Sequence, residues 1–112
     1  MVSGGSTVST HVLDTERGVP AAGVPVELSR VGRSVAQAQT DADGRIADLA
    51  GGPLPAGQYV LAFDVAAYFQ AQGRPDPFLR RVSIEFQVQA ADRYCHVPLL
   101  LSPYACTSYR GS

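Results

Sequence analysis

The chain has 112 residues, a formal net charge of −1, 46% hydrophobic residues and 17% charged residues. That length fits one domain with a modest core, so we expect residues 1–112 to form a single domain, with residues 1–6 disordered. Neither a nucleic-acid nor a membrane binder is expected, because the nine positive charges, all arginines, are scattered apart from Arg80 and Arg81, and no segment has the roughly 20 apolar residues that span a bilayer.

Short strand-like segments alternate with turn signals along the chain. Apolar and polar residues alternate within them, or β-branched residues are enriched, as is typical of half-buried strands. Glycine and proline at 17–25, and the DADGR stretch at 41–45, predict turns between them. Strands are predicted over residues 7–13, 24–31, 34–40, 58–65 and 80–88, with two more near the end of the chain on either side of Ser102 and Pro103.

One segment has a different pattern. Residues 64–73 are rich in alanine and glutamine, which predicts a short helix ended by Gly73. Seven or eight strands with one short helix indicate an all-β protein, a two-sheet β-sandwich. Pro98 interrupts the apolar run YCHVPLLL, so a bulge or an edge position is expected there.

The cysteines and the beginning of the chain bear on its location. Residues 1–12 have neither a positively charged region nor an apolar one, so a secretory signal is not expected. We therefore predict a cytoplasmic protein in which Cys95 and Cys106 are reduced. Because the chain contains no CxxC, HExxH or EF-hand-type loop, a metal site is not expected either.

Two histidines stand out among the groups able to do chemistry. Side chains alternate along a strand, so His11 should share a face with Ser9 and Leu13. The same rule separates His96 from its neighbour Cys95, which argues against a Cys–His metal site. Each residue taken singly has a simpler structural interpretation, as a hydrogen-bonded strand histidine or a buried thiol. Arg45 would be a solvated turn residue, and Tyr109 and Arg110 would lie on an edge strand.

Several motifs in a fixed order change that interpretation. They are VSTHVLDTERGVPAAGVPVEL (8–28), TDADGRIADL (40–49), GQYVLAFDVAAYF (57–69), HVPLLLSP (96–103) and YRGS (109–112). In this order they closely resemble the 5-hydroxyisourate hydrolases, the urate-pathway branch of the transthyretin-like proteins. The resemblance covers the chain from Val8 to Ser112.

The resemblance implies a transthyretin-like sandwich that assembles into a homotetramer, with active sites between dimers. It implies catalytic roles for His11, Arg45 and His96, and substrate binding by the final stretch, Ser108, Tyr109, Arg110, Gly111 and Ser112. It implies no cofactor and a small-molecule substrate, 5-hydroxyisourate, whose cyclic amide is hydrolysed. The histidines would hold and deprotonate the attacking water, while arginine would orient the anionic substrate. Which imidazole is the base is left open.

Two stretches depart from the family pattern. In PYACTSYRGS, Ala105 and Cys106 stand where glycine and tyrosine are usual, and in FLRR, Arg80 and Arg81 replace a common Pro–Glu. A paralogue acting on another cyclic ureide is therefore one alternative. A transthyretin-like carrier and a non-catalytic interaction module are the others. The carrier is disfavoured because carriers lack the histidine pair and the tyrosine of YRGS.

Overall fold

The computed structural model describes residues 5–112. Ten strands and one helix follow one another within those residues. In chain order they are β1 (Thr7–Asp14), β2 (Val19–Pro20), β3 (Pro25–Arg30), β4 (Arg33–Gln39), β5 (Arg45–Ile46), β6 (Gly57–Phe63), α1 (Val65–Ala71), β7 (Val82–Val88), β8 (Tyr94–His96), β9 (Leu99–Leu101) and β10 (Cys106–Ser108).

The strands form two sheets. In the first, β1 pairs with β2 and β5 in antiparallel fashion and with β8 and β9 in parallel fashion, and β10 pairs with β9. The second sheet is antiparallel in the order β4-β3-β6-β7. The predicted β-sandwich with one short helix is confirmed. The structure has ten strands instead of seven or eight, because the two-residue segments β2 and β5 also form ladders with β1 and one predicted strand is divided into β8 and β9.

Both sheets and the helix contribute to one hydrophobic core. Its strand residues alternate as predicted: along β1 every second side chain is buried, and along β7 the apolar side chains are less exposed than the polar ones. Burying a large apolar side chain stabilises a fold by about 1.5–3 kcal/mol. The largest fully buried side chains are Tyr59, Tyr68, Phe63, Phe69, Leu28, Leu61, Leu99 and Leu101.

Pro98 falls between two strands, β8 and β9, that both pair with β1. The partners of β8 and β9 on β1 are offset by the same number of residues, so the register continues across the gap. Val97 donates its amide to the Ser9 carbonyl, and the Thr10 hydroxyl donates to the Val97 carbonyl at 2.6 Å. The proline is therefore accommodated by a break in the strand, with side-chain bonding in place of a ladder bond, rather than by the predicted bulge or edge.

The helix α1 lies where the sequence predicts it. Asp64 caps its N-terminus by accepting the Ala67 amide at 3.0 Å. Gly73, with a φ of +66°, follows the C-cap residue Gln72 and donates its amide to Gln70. A left-handed glycine just past the last turn ends a helix without strain, as expected.

A buried carboxylate joins α1 to the end of β1. Asp14 is fully buried and accepts the Tyr68 hydroxyl at 2.8 Å and the Arg74 guanidinium at 2.7 Å. It also accepts the backbone amides of Glu16 and Arg17 at 3.1 Å each. Burial by itself raises the pKa of the Asp14 carboxyl, but the bonds from Arg74, Arg17 and Tyr68 together outweigh it and hold the pKa below 3.8.

The structure bears on the predicted disorder of residues 1–6 and on the sequence's lack of a membrane-spanning segment. Residues 1–4 of the segment predicted to be disordered lie outside them. For the rest of that segment the prediction was wrong at Ser6, which is fully buried and bridges to Leu54 through two backbone hydrogen bonds of 2.9 and 2.7 Å. Among residues 5–112, no helix is both long enough and apolar enough to cross a membrane.

Replacing Asp14 by asparagine should lower the free energy of unfolding by about 2 kcal/mol, because Arg74 would lose its buried anionic partner and keep only the exposed carboxylate of Glu16. The contribution of Asp14 should also depend on pH. Since its folded pKa is lowered, the stabilisation is complete above the unfolded-state pKa near 3.9 and disappears as the pH falls through the lower, folded value. Denaturant unfolding of both proteins between pH 2.5 and 7 measures this.

The matched control is Asp76→Asn, which removes an exposed carboxylate paired with Arg80 at 3.3 Å. Exposed pairs contribute little, so this change should leave stability almost unaltered. Equal effects of the two substitutions would contradict a special contribution from the buried network.

Candidate active site

The open face of β1 carries the first two polar side chains of the candidate site. Val8, Thr10 and Val12 point into the core, whereas Ser9 and His11 are half-buried on the opposite face. This is the alternation that the sequence predicts, and a shift of one residue would move His11 into the core.

Arg45 lies beside His11, on the neighbouring strand β5. The two residues are directly paired in the antiparallel ladder between β1 and β5, so their side chains extend from the same face. The predicted DADG turn sets this pairing: the Asp41 carboxylate accepts the Asp43 and Arg45 amides at 2.9 Å each. Gly44 has a φ of +75°, and a Cβ there would collide with the Val12 carbonyl, so this turn requires glycine.

His96 approaches the same face from the other edge of β1. It pairs in parallel register with Ser9, and its Nδ1 lies 2.8 Å from the Ser9 hydroxyl. Cys95 is buried on the other side of β8, so the predicted divergence of Cys95 and His96 is confirmed. The imidazole is thereby fixed at one nitrogen, and Nε2 remains for another partner.

The YRGS segment (residues 109–112) continues beyond β10 and passes along His96. Gly111 forms an isolated antiparallel bridge with His96 and donates its amide to the His96 carbonyl at 2.8 Å. A Cβ on Gly111 would collide with Cδ2 of the His96 ring, so only glycine permits this close approach. The next residue, Ser112, reaches the groove beside Arg45.

The groove is an open cavity of about 410 Å³. Its lining combines hydroxyl, imidazole and guanidinium groups with three apolar or aromatic neighbours: Ser9, Thr10, Arg45, Ile46, Ala47, Tyr94, His96 and Ser112. A concave surface on which a small number of polar groups converge is typical of small-molecule sites. Of the predicted residues, the groove brings together Arg45, His96 and Ser112, with His11 paired to Arg45 at its side.

The other predicted residues of the final stretch lie elsewhere. Ser108, Tyr109 and Arg110 line an adjacent cavity of about 310 Å³, which His96 also lines. The Ser108 hydroxyl donates to the Pro98 carbonyl at 2.8 Å, and the Arg110 guanidinium contacts Asp92. His96 therefore lies between two cavities, and the eight predicted site residues do not form one cluster.

The electrostatics of the groove favour a neutral His96. Burial of the imidazole lowers its pKa below 6.5, and the nearby His11 and Arg45 lower it further. A neutral imidazole can accept a proton at neutral pH. The groove thus combines a proton acceptor with an exposed cationic side chain, Arg45, on one sheet face.

Sequence reasoning missed Ser9 as a site residue, although the alternation of β1 placed it on the face of His11. Its pairing with His96 depends on a parallel ladder between residues 87 positions apart, and no local pattern reveals that register. The sequence departures lie outside the groove lining. Arg80 and Arg81 are exposed and pair with Asp76 and Glu27, and Cys106 packs against the core.

Comparisons with known proteins agree with this architecture. Residues 8–111 match the model of the HIUase/Transthyretin family. A 5-hydroxyisourate hydrolase of Caulobacter vibrioides is 46% identical over 114 residues, covering 96% of this chain and 99% of that protein.

Two solved structures show how far the fold is shared. The Klebsiella pneumoniae 5-hydroxyisourate hydrolase has a TM-score of 0.89 at 43% identity, covering 96% of this chain and 99% of its own. Sea bream transthyretin in complex with thyroxine has a TM-score of 0.83 at 30% identity, covering 94% of each chain. Given the sandwich, the motif order and a family match over nearly its whole length, the chain belongs to the HIUase/Transthyretin family.

Proposed function

We propose that this protein hydrolyses 5-hydroxyisourate to 2-oxo-4-hydroxy-4-carboxy-5-ureidoimidazoline, a step of urate degradation in purine catabolism. The observation that carries the proposal is the pairing of His11 with Arg45 and of His96 with Ser9 on one open sheet face. Relatives named 5-hydroxyisourate hydrolase match at 37–46% identity over almost their full length. Sea bream transthyretin, solved in complex with thyroxine, has the same fold. The fold alone therefore does not distinguish hydrolysis from ligand carriage, and the residues of the site do.

The proposed reaction is water attack on a carbonyl carbon of the six-membered ring. One imidazole accepts a proton from the water as the new C–O bond forms, and the C–N bond of the cyclic amide then breaks. The same proton can be returned to the departing nitrogen, so no outside reactant besides water is needed. General-base catalysis of this kind contributes about 10²–10⁴ in rate. The neutral state of His96 suits it to this role.

Arg45 would supply the positive charge. The substrate is an acidic, planar bicycle, and the attacked carbonyl oxygen becomes negative in the transition state. An exposed guanidinium on the groove wall can bind the anion or stabilise that developing charge. The Ser9 hydroxyl would hold the His96 ring so that Nε2 faces the water.

A carrier function is the second candidate, favoured by the likeness to transthyretin in complex with thyroxine. Tyr109 is 55% exposed and lines the cavity beside the groove, where a bulky ring would restrict a large apolar ligand. Another cyclic ureide as substrate is the third. One assay separates the first candidate from the other two, and a further ligand screen then separates those two.

That assay follows the ultraviolet decay of 5-hydroxyisourate freshly made by urate oxidase. The wild-type protein should accelerate the decay, and His11→Ala, His96→Ala and Arg45→Ala should each lose about 10²–10⁴ of the acceleration. Ser9→Ala should lose about tenfold, the effect of one hydrogen bond.

Ser34→Ala is the matched control, because Ser34 is an exposed serine on β4 in the other sheet. It should behave as the wild type. Decay at the spontaneous rate with wild-type protein would reject this substrate, and hydantoins and thyroxine would then be screened with the same variants.

The titration of His96 provides a pH prediction. Since burial, His11 and Arg45 lower its pKa, kcat/KM should stay level near neutrality and fall only as the pH drops through a value below 6.5. Arg45→Gln should raise the pKa of His96 by removing a positive charge, while burial keeps it below 6.5. NMR titration resolves this readily, because the chain has only two histidines.

Arg33→Gln is the control for that titration, since Arg33 is an exposed arginine on β4. It should leave the His96 pKa where it is. A His96 pKa at or above 6.5 in the wild type would contradict the proposed electrostatics of the groove.

The proposal includes a homotetramer, a dimer of dimers. Support comes from the edge strand β7, which within residues 5–112 has a neighbour on one side only, and from the exposed aromatic rings of Tyr94 and Tyr109 beside the cavities. Light scattering should give four times the 11.8 kDa chain mass, and a monomer mass would refute the assembly. A cytoplasmic location stays a prediction from the sequence, which cell fractionation would test.

A further inference from the structure

Arg110 is held by a carboxylate from another part of the chain. Its Nη2 donates to Oδ1 of Asp92 at 3.2 Å and lies 3.5 Å from the Tyr94 carbonyl. Asp92 is itself fixed, because its Oδ2 accepts the Gln89 amide at 2.9 Å in the turn before β8. The Asp92 side chain is 17% exposed and that of Arg110 is 61% exposed, so water reaches the pair from the arginine side.

The residue after Arg110 makes the closest contact of the YRGS segment with the site. Gly111 donates its amide to the His96 carbonyl at 2.8 Å, and its Cα lies so near the imidazole that a Cβ would collide with the ring. Ser112 then reaches the groove lined by Arg45 and His96. Arg110 and Gly111, which are consecutive, therefore attach this segment to β8 and to the turn before it.

We propose that Asp92 and Arg110 form a clamp that positions the YRGS segment against His96, which makes Arg110 a positioning residue and not a substrate-binding one. The inference rests on the proposed hydrolase function for its kinetic consequences only. Ordering a short segment costs conformational entropy. An ion pair that holds the segment before substrate arrives removes that cost from the binding step.

The placement of Arg110 differs from the substrate-binding role that the family resemblance implied. Its guanidinium is directed to Asp92 and the Tyr94 carbonyl, and it does not line the groove that contains Arg45 and Ser112. Asp92 lies outside every motif that the sequence shows, and it is 18 residues from Arg110 along the chain. The antiparallel pairing of β10 with β9, which continues through the bridge between Gly111 and His96, brings the two together.

The clamp has a readout that does not depend on activity. Hydrogen exchange of the Gly111 amide, followed by NMR, reports how often the segment leaves His96. Asp92→Asn keeps an oxygen for the Gln89 amide but removes the charge, and Arg110→Gln removes the other charge. Each should speed Gly111 exchange about two- to fivefold, as expected for a solvent-exposed ion pair.

The double variant Asp92→Asn/Arg110→Gln identifies the pair as the cause. Because both single changes break the same contact, the double variant should exchange no faster than the quicker single variant. The control is Asp76→Asn, which breaks another exposed ion pair, with Arg80, and should leave Gly111 exchange unchanged. Additive effects of the two single changes, or no effect of either, would overturn the clamp.

Steady-state kinetics with 5-hydroxyisourate test the effect of the Asp92–Arg110 clamp on substrate binding. Apparent affinity follows the fraction of molecules with the segment in place. Each single variant should therefore raise KM by no more than the factor found for exchange, with kcat within about twofold of the wild type. A KM raised more than tenfold by Arg110→Gln but not by Asp92→Asn would show that Arg110 binds substrate directly, and would overturn the proposal.

The measurements distinguish failure of the clamp from failure of the proposed hydrolase function. In that case the wild-type protein would not accelerate decay at all, whereas the exchange measurements would still report on the clamp. The two proposals can therefore fail separately.

Discussion

Strand β1 contributes to the core and to the candidate site at once, because neighbouring side chains on a strand face opposite sides of the sheet. Val8 and Val12 are fully buried, while Ser9 lines the groove and His11 is half-buried at its side, paired with Arg45. Pairing along both edges of β1 fixes this arrangement. A slip of one residue would bury an imidazole and expose the core valines, so the packing energy of the core also fixes the register of the site.

Two buried polar groups beside β1, the Val97 carbonyl and the Asp14 carboxylate, are hydrogen-bonded by specific partners. Pro98 breaks the strand beside β1, and the Thr10 hydroxyl bonds the carbonyl that precedes it. At the end of β1, Asp14 is withdrawn from water but accepts four hydrogen bonds, including one from Arg74. Unpaired, such groups would destabilise the fold by several kcal/mol. Fully bonded, they hold the helix and the strands in one relative position.

The site assembles groups from widely separated parts of the chain. The β1–β5 ladder brings Arg45 to His11, and the β1–β8 ladder brings His96 to Ser9. Burial and two neighbouring cationic or titratable groups act on His96 in the same direction, each favouring its neutral form. The proton acceptor and the cationic side chain are therefore compatible within one groove. The YRGS segment adds Ser112 to the groove wall, and it can pass this close to His96 because Gly111 has no side chain.

The sequence by itself determined the sandwich, the helix at 64–73, the alternation of β1 and the turn before Arg45, since each depends on neighbours within a few residues. Its motif order also indicated the family and named His11, Arg45 and His96. Only the tertiary structure decided that Ser9 orients His96, that Arg110 faces Asp92, and that Pro98 divides one strand into β8 and β9. These features depend on the register between segments up to 87 residues apart, and strand register is set by packing of the whole core, which local periodicity does not encode.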